Sequence, residues 1–460
     1  NPRALDYSRL PPELWLIILR EATLMTSDPL DASDNLSFLD AHPLQLDAYA
    51  PSMHNKMALS LVSKRFGELA RPFLYEFVWI SRAAQAKALA HHLLLEYVGR
   101  RESSGRFIRR LHIETPVLER CAPADLHTIL EYSPQLTVYT DHQSVQRNWN
   151  RGDVPADPRC QPEKLLSLLA HPHSELRRLS WTSYDDVPFH LRMSPLQDMR
   201  TKRLEYLELS SCSPNFHALI ADPAEAAQMT VRLPALKSLK VSLDNDMFAV
   251  LAGWDMPALR NLSVMSSDFS YTGAGFYAFF AAHGPKLRQL ELGHSSSIIE
   301  EHYLTRLPAA DAHWSLAGAC PNLQELVCSA DAEWHWQSPD WIAPHVLLPT
   351  HPRLELIAVR DMDARVRDAL GADGPSFFPL LEQMSSLLRT EAFPALKYVR
   401  DLSVDSAAFR ECRPEGRVVA FWMKVLERCR ERGVWLEDYR GVNITQRALL
   451  RASRRHADES

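Results

Sequence analysis

The sequence predicts an α/β fold: a small helical module at the amino end, followed by a long array of helix–break–strand units. Three observations carry this prediction. A short motif, Leu-x-x-Leu-x-apolar, recurs along most of the 460 residues. Proline stands two residues before the first apolar position in seven places: Pro134, Pro234, Pro257, Pro285, Pro321, Pro352 and Pro394. Ahead of the array lies Leu10-Pro-Pro-Glu-Leu-Trp-Leu-Ile-Ile-Leu19, a short helix apolar nearly all the way round.

The motif reads Leu176-Arg-Arg-Leu179-Ser-Trp181, Leu204-Glu-Tyr-Leu207-Glu-Leu209, Leu236-Lys-Ser-Leu239-Lys-Val241, Leu259-Arg-Asn-Leu262-Ser-Val264 and Leu287-Arg-Gln-Leu290-Glu-Leu292. Leu323-Gln-Glu-Leu326-Val-Cys328 and Leu354-Glu-Leu-Ile357-Ala-Val359 continue it. Ile108-Arg-Arg-Leu111-His-Ile113 is an earlier copy, and Leu396-Lys-Tyr-Val399 a degenerate late one. Each copy ends in the in–out alternation of a half-buried strand. The proline cannot continue a helix, so it closes one element before the strand opens. Copies begin at 176, 204, 236, 259, 287, 323, 354 and 396, hence 23 to 42 residues apart, and the irregularity implies insertions between units. A doubly wound sheet would also alternate helix and strand. Its strands would be apolar on both faces, whereas these place polar residues such as Ser180, Glu208 and Lys240 outward, which favours a solenoid.

In the amino-terminal helix, Leu14, Ile17 and Ile18 form one stripe, and Trp15 and Leu19 another. A helix apolar all round must be covered all round, and a segment this short cannot cover both sides from its own residues. An uncovered apolar face marks a partner site. Pro11-Pro12 presets the first turn and Glu13 suits its positive end. Residues 21–55 carry Glu21, Asp28, Asp31, Asp34, Asp40 and Asp47 but no Lys or Arg, and read as a solvated, mobile acidic insertion. A second helix is expected over about 56–70, with Leu59, Val62, Phe66 and Leu69 at helical spacing. Pro72 is expected to open a third, and Phe77–Ile80 to form the first strand. Ser81 is expected to cap an Ala-rich helix that Gly99 ends.

The body resembles a leucine-rich-repeat solenoid with degenerate repeats, a curved parallel sheet with helices on its convex side. The resemblance is specific at the Leu-x-x-Leu-x-Leu core. It departs where that family carries Asn or Cys: Cys212 fits, but Asp244, Ser267, Ser295 and Asp331 stand elsewhere, so no regular asparagine ladder is expected. The front segment, Leu10-Pro-Pro-Glu-Leu14 with Leu61-Val-Ser-Lys-Arg-Phe66, is similar to an F-box, and Leu69-Ala-Arg-Pro-Phe-Leu-Tyr-Glu76 resembles the version that precedes leucine-rich repeats in many fungal members. That resemblance implies docking to the Skp adaptor of a Skp–cullin–F-box ubiquitin ligase through Leu10, Pro11, Glu13, Leu14, Ile17, Ile18, Leu61, Val62, Lys64, Arg65 and Phe66. It also implies a substrate-receptor role. The alternatives are front helices that only cap the array, and a repeat scaffold that binds partners with no ligase role.

The predicted organisation is a helical module at 1–80, with its acidic insertion at about 25–55, then a solenoid at 81–440. A cap at about 415–440 is built from a helix near Arg417–Arg432, with Val419, Trp422, Met423, Leu426 and Cys429 as its buried stripe. Gly433 stops that helix, a last strand follows at Val434–Asp438, and a loose polar tail covers 441–460.

The 46% hydrophobic and 23% charged shares are those of an ordinary globular chain. A net charge of −6, with only small Arg pairs, argues against nucleic acid as partner. Seven scattered cysteines, none in a Cys-x-x-Cys pair, suit a reducing cytoplasmic or nuclear compartment and no zinc site. The apolar runs are too short for a membrane span. No signal peptide is visible, and the start at Asn1 without Met leaves room for an upstream piece.

No nucleophile elbow, phosphate-cradling loop or His-Glu-x-x-His site occurs. Gly273-Ala-Gly275 reads as a loop, and His91-His92, His171-Pro-His173 and Glu300-Glu301-His302 lack companion ligands. No catalytic residue, metal or cofactor is therefore expected. A protein target is expected on the concave face, at Arg178, Ser180, Tyr206, Glu208, Lys240, Asn261, Gln289 and Glu291. Trp334 and Trp336, from the Trp-dense stretch Glu333–Trp341, are further candidates. Those rings are read first as a roof over the core.

Overall fold

In a computed structural model of the chain, the structure describes residues 10–24, 37–39, 49–99, 101–116, 119–142, 167–169, 175–183, 189–190, 203–211, 218–219, 231–243, 245–266, 274–294, 315–329, 348, 350–360, 362, 366, 378–403 and 416–457. Cys212, Asp244, Ser267, Ser295, Asp331, Trp334 and Trp336 lie outside them.

The body is one open, all-parallel sheet of twelve strands. In chain order these are β1 (Phe77–Ile80), β2 (Arg110–Glu114), β3 (Val138–His142), β4 (Arg178–Ser183), β5 (Tyr206–Ser211), β6 (Ser238–Leu243), β7 (Asn261–Ser266), β8 (Gln289–His294), β9 (Glu325–Ser329), β10 (Leu356–Arg360), β11 (Tyr398–Asp401) and β12 (Trp435–Glu437). Each inner strand pairs with the sheet strand before it and the one after it, so the order never reverses. A doubly wound sheet requires such a reversal, and the solenoid-like alternative is the one observed. A separate two-residue pair, Phe189–His190 with Ala218–Leu219, stands apart from the main sheet.

Register explains the repeat. Leu111, Tyr139, Leu179, Leu207, Leu239, Leu262 and Leu290 stand side by side across neighbouring strands. Leu326, Ile357, Val399 and Leu436 extend the row. All are buried, because period-two alternation turns this row toward the helices. The motif prolines take the second place of tight turns. The amides of Leu136, Leu236, Leu259, Leu287, Leu323 and Leu396 each donate to the carbonyl three residues back, across Pro134, Pro234, Pro257, Pro285, Pro321 and Pro394. Proline's fixed φ suits that position of a turn. Just after each turn, two successive amides share one carbonyl of the preceding unit, as Lys237 and Ser238 share Glu205 and Arg260 and Asn261 share Lys237.

The helices are α1 (Pro12–Thr23), α2 (Tyr49–Ser60), α3 (Lys64–Tyr75), α4 (Ala83–Val98), α5 (Pro123–Glu131), α6 (Asn245–Ala252), α7 (Ala274–His283), α8 (Leu316–Ala319), α9 (Phe378–Leu387), α10 (Gly416–Arg432) and α11 (Gln446–Ala457). α6 and α7 interlock through Phe248, whose ring centroid lies 5.3 Å from Phe276 and 5.6 Å from Phe279. His283 at the end of α7 donates from Nε2 to the Leu251 carbonyl at 3.2 Å, and its Nδ1 accepts from Lys286 at 3.0 Å. His351 repeats the device one unit later, with Nε2 3.0 Å from the Cys320 carbonyl.

Several expectations need correction. The second helix is two helices, α2 and α3. Ser63 interrupts it in an extended conformation, and its hydroxyl accepts from the Phe66 amide, so a capping side chain displaces the continuing helical bond. Pro72 lies inside α3 rather than opening a new helix, with Ala70 and Phe73 buried on either side of it. Arg82, not Ser81, holds the first cap position of α4, because Gln85 reaches back to both amides. Gly99 ends α4 as expected. Gly433, at φ +75°, stops α10. Residues 446–457 are not a loose tail but the amphipathic helix α11, anchored by fully buried Leu449 next to buried Ile444.

Candidate functional site

Two surfaces carry the functional argument. The first is the three-helix front module. Its inner stripe faces the protein: Leu19 is buried and Trp15 half-buried, with the Trp15 ring edge-on to Phe66 of α3 at 4.9 Å. Arg65 donates to the Leu10 carbonyl at 3.2 Å and fastens the entry of α1 to α3. Glu76, just past α3, gathers the module. Its buried carboxylate takes the Lys56 ammonium of α2 at 2.9 Å and the Arg20 guanidinium of α1. Its backbone carbonyl accepts from Arg109 and Arg110 at the start of β2. Tyr49 at the head of α2 packs on Phe77 and Trp79 of β1 at 4.8 and 5.4 Å, and its hydroxyl accepts from the Trp79 amide. The helices are thus fixed to the sheet by polar and aromatic contacts.

The outer stripe is bare. Leu14, Ile17 and Ile18 are 45%, 59% and 45% exposed on α1, and Leu61 and Val62, in the turn before α3, are 82% and 64% exposed. Pro11, Glu13, Lys64 and Arg65 are exposed beside them, and Leu10 and Phe66 are half-buried. Single exposed apolar residues are ordinary, but these five, with Leu24 and Met57 also exposed in the same small module, exceed scatter.

The second surface is the sheet face opposite the helices. The residues expected to meet a target lie on this face, but most are covered by one another. Arg178, Ser180, Tyr206, Glu208, Gln289 and Glu291 are buried, and Lys240 and Asn261 only half-exposed. Parallel neighbours about 4.8 Å apart force long side chains into mutual pairs. The Arg178 guanidinium lies 3.9 Å from the Tyr206 ring centroid, and the Tyr206 hydroxyl donates to Glu208 at 3.1 Å. Lys240 pairs with Glu208 at 2.8 Å, Asn261 donates to Ser238 at 3.0 Å, and Ser263 donates to Glu291 at 2.6 Å. Arg360 completes an ion pair with Glu291. Burial pulls the Glu291 carboxyl up, but Arg360, Lys240 and the Ser263 hydroxyl together hold it below the ordinary carboxylate range. Glu208 lifts Lys240 above the ordinary ammonium range against its burial.

Further cover comes from Ser37–Leu39, so this part of the acidic insertion is packed on the sheet and not solvated. Phe38 and Leu39 are buried on this face. Sequence reasoning missed them, although Leu36-Ser-Phe-Leu39 is an apolar run inside an acidic stretch. It also missed the Arg20–Lys56–Glu76 cluster, whose members lie 20 and 56 positions apart in the chain. His92 of α4 stands 3.2 Å from both Glu96 and the Tyr75 hydroxyl. No helix of the described residues is long and apolar enough to cross a membrane.

The fold and these surfaces define a class, an open α/β repeat ribbon led by a helical module with an uncovered apolar stripe. No protein-family model matches the chain, and no curated protein matches it.

Proposed function

We propose that this chain is the substrate-recognition subunit of a Skp–cullin–F-box ubiquitin ligase. It docks the Skp-type adaptor, and through it the cullin, by the front helices and holds a protein target on its repeat surface. The body is read as degenerate leucine-rich repeats, on the motif core and the register it produces. The chain performs no chemistry itself. It raises the rate of ubiquitin transfer by holding the target near the enzyme, converting a bimolecular encounter into a local one. Such an assembly belongs in the cytoplasm or nucleus.

The observation that carries this reading is the bare stripe of Leu14, Ile17 and Ile18, held on a module that is otherwise well tied down. A helix serving only as a cap would have this stripe turned inward. The test is co-purification of the full chain with a recombinant Skp-type adaptor. Leu14→Asp with Ile17→Asp is expected to abolish binding while the circular-dichroism spectrum stays unchanged. Undiminished adaptor binding by that variant defeats the proposal and leaves a repeat scaffold without ligase.

A further inference from the structure

The Ser37–Leu39 segment is held by contacts that read a peptide. The Phe38 amide donates to the Gln289 side-chain carbonyl at 2.8 Å, and the Phe38 carbonyl accepts from Arg360 at 2.6 Å. Both backbone polar groups of one residue are thus satisfied by side chains of two strands, β8 and β10. Gln289 also donates to the Ser37 hydroxyl at 2.8 Å, and that hydroxyl accepts from the Leu39 amide at 3.2 Å, which sets a tight local turn. The Phe38 ring lies 6.2 Å from Tyr206. Leu39 fills an apolar hollow among Val327, Leu356, Ala358 and Leu402, separate from the main core.

This hollow departs from the rule of the face. Rows that carry Glu208, Lys240 and Glu291 elsewhere carry Val327 and Ala358 at β9 and β10. An apolar pocket flanked by side chains that satisfy an amide and a carbonyl is the combination peptide grooves use. The backbone bonds supply affinity and the pocket selects the side chain.

We propose that the β8–β10 face is the target-binding site, that it takes peptide segments in which an aromatic residue is followed by an aliphatic one, and that Phe38-Leu39 occupies it in cis. This rests on the receptor reading and names the target class for it. The chain's own segment competes with targets, so the apparent affinity for a target falls by the fraction of molecules whose site is free.

The test uses a fluorescein-labelled peptide with the sequence of residues 33–43, titrated by anisotropy against the full chain. Phe38→Ala with Leu39→Ala is expected to bind the peptide at least about tenfold more tightly than the unaltered chain, because the cis competitor is gone. A peptide with Phe38→Ala should lose that binding, a control that leaves the protein untouched. Equal binding by both chains, or equal binding of both peptides, overturns the inference. Adaptor co-purification is scored on the same double variant. Adaptor retained without peptide binding sinks the peptide site alone and leaves the docking proposal standing.

Discussion

Lys56 and Glu76 form an ion pair of 2.9 Å in which both side chains are almost wholly withdrawn from solvent. Arg20 shares the same carboxylate but remains partly exposed. Removing the acid therefore strands Lys56 in a dry site while Arg20 can turn to water. Glu76→Ala is expected to destabilise the front module by about 3–5 kcal/mol, read by urea denaturation. A shift within error would mean that Lys56 finds another partner.

Leu207 and Leu239 are fully buried neighbours in the leucine row. Truncating either removes apolar contact on both sides of a strand and leaves a hole that neighbouring units cannot close. Leu239→Ala should lower stability by about 2–5 kcal/mol. A denaturant midpoint unchanged from the parent chain would place that side chain outside the core.

His283 should make the array acid-sensitive. Burial, aided by Lys286, depresses its pKa from the ordinary 6.5 to about 4, and burial lowers His351 too. Between 6.5 and about 4 the unfolded chain binds protons that the folded chain does not, so stability falls as pH drops through that window. Above it this contribution is complete. Thermal melts from pH 7 to pH 4 should show the decline, and His283→Gln should flatten it. An equal slope in the variant would remove His283 from the account.

Cys121, Cys320, Cys328 and Cys429 have thiols pushed up to about 12, chiefly by burial. Thiolate, not thiol, is the reactive form. These four should resist alkylation in the native protein and label fully after denaturation, as followed by site-resolved mass spectrometry. Rapid native labelling of any of them would show that its unit opens readily.

The parts of the fold legible beforehand are those where one local rule decides. The Leu-x-x-Leu spacing places Leu179, Leu207 and Leu239 in one row, because a strand's two-residue period admits a single inward face. Pro234 and Pro257 mark element ends for a stereochemical reason that no distant contact can override. Phe77–Ile80 and the stop at Gly433 follow the same logic. The bare stripe of α1 was legible because no other residue of so short a module could sheathe it. Ser63 was misread because capping by a hydroxyl competes with helix continuation on nearly equal terms. Lys240 and Glu291 read as outward polar residues, which alternation requires. Alternation says nothing about neighbours such as Glu208 and Arg360 closing over them. Phe38 on β8 depends on a contact across 251 positions, beyond any local pattern.

A ribbon whose strands share backbone bonds only with adjacent strands behaves like a row of dominoes, free to fray from either end. The bond from Arg360 to the Phe38 carbonyl spans 322 positions and works as a buckle across that row. It ties a residue near the amino end to the tenth of the twelve strands, so fraying there must also break this contact. A peptide taking the place proposed for Phe38 would give up that tie together with the bond from Gln289.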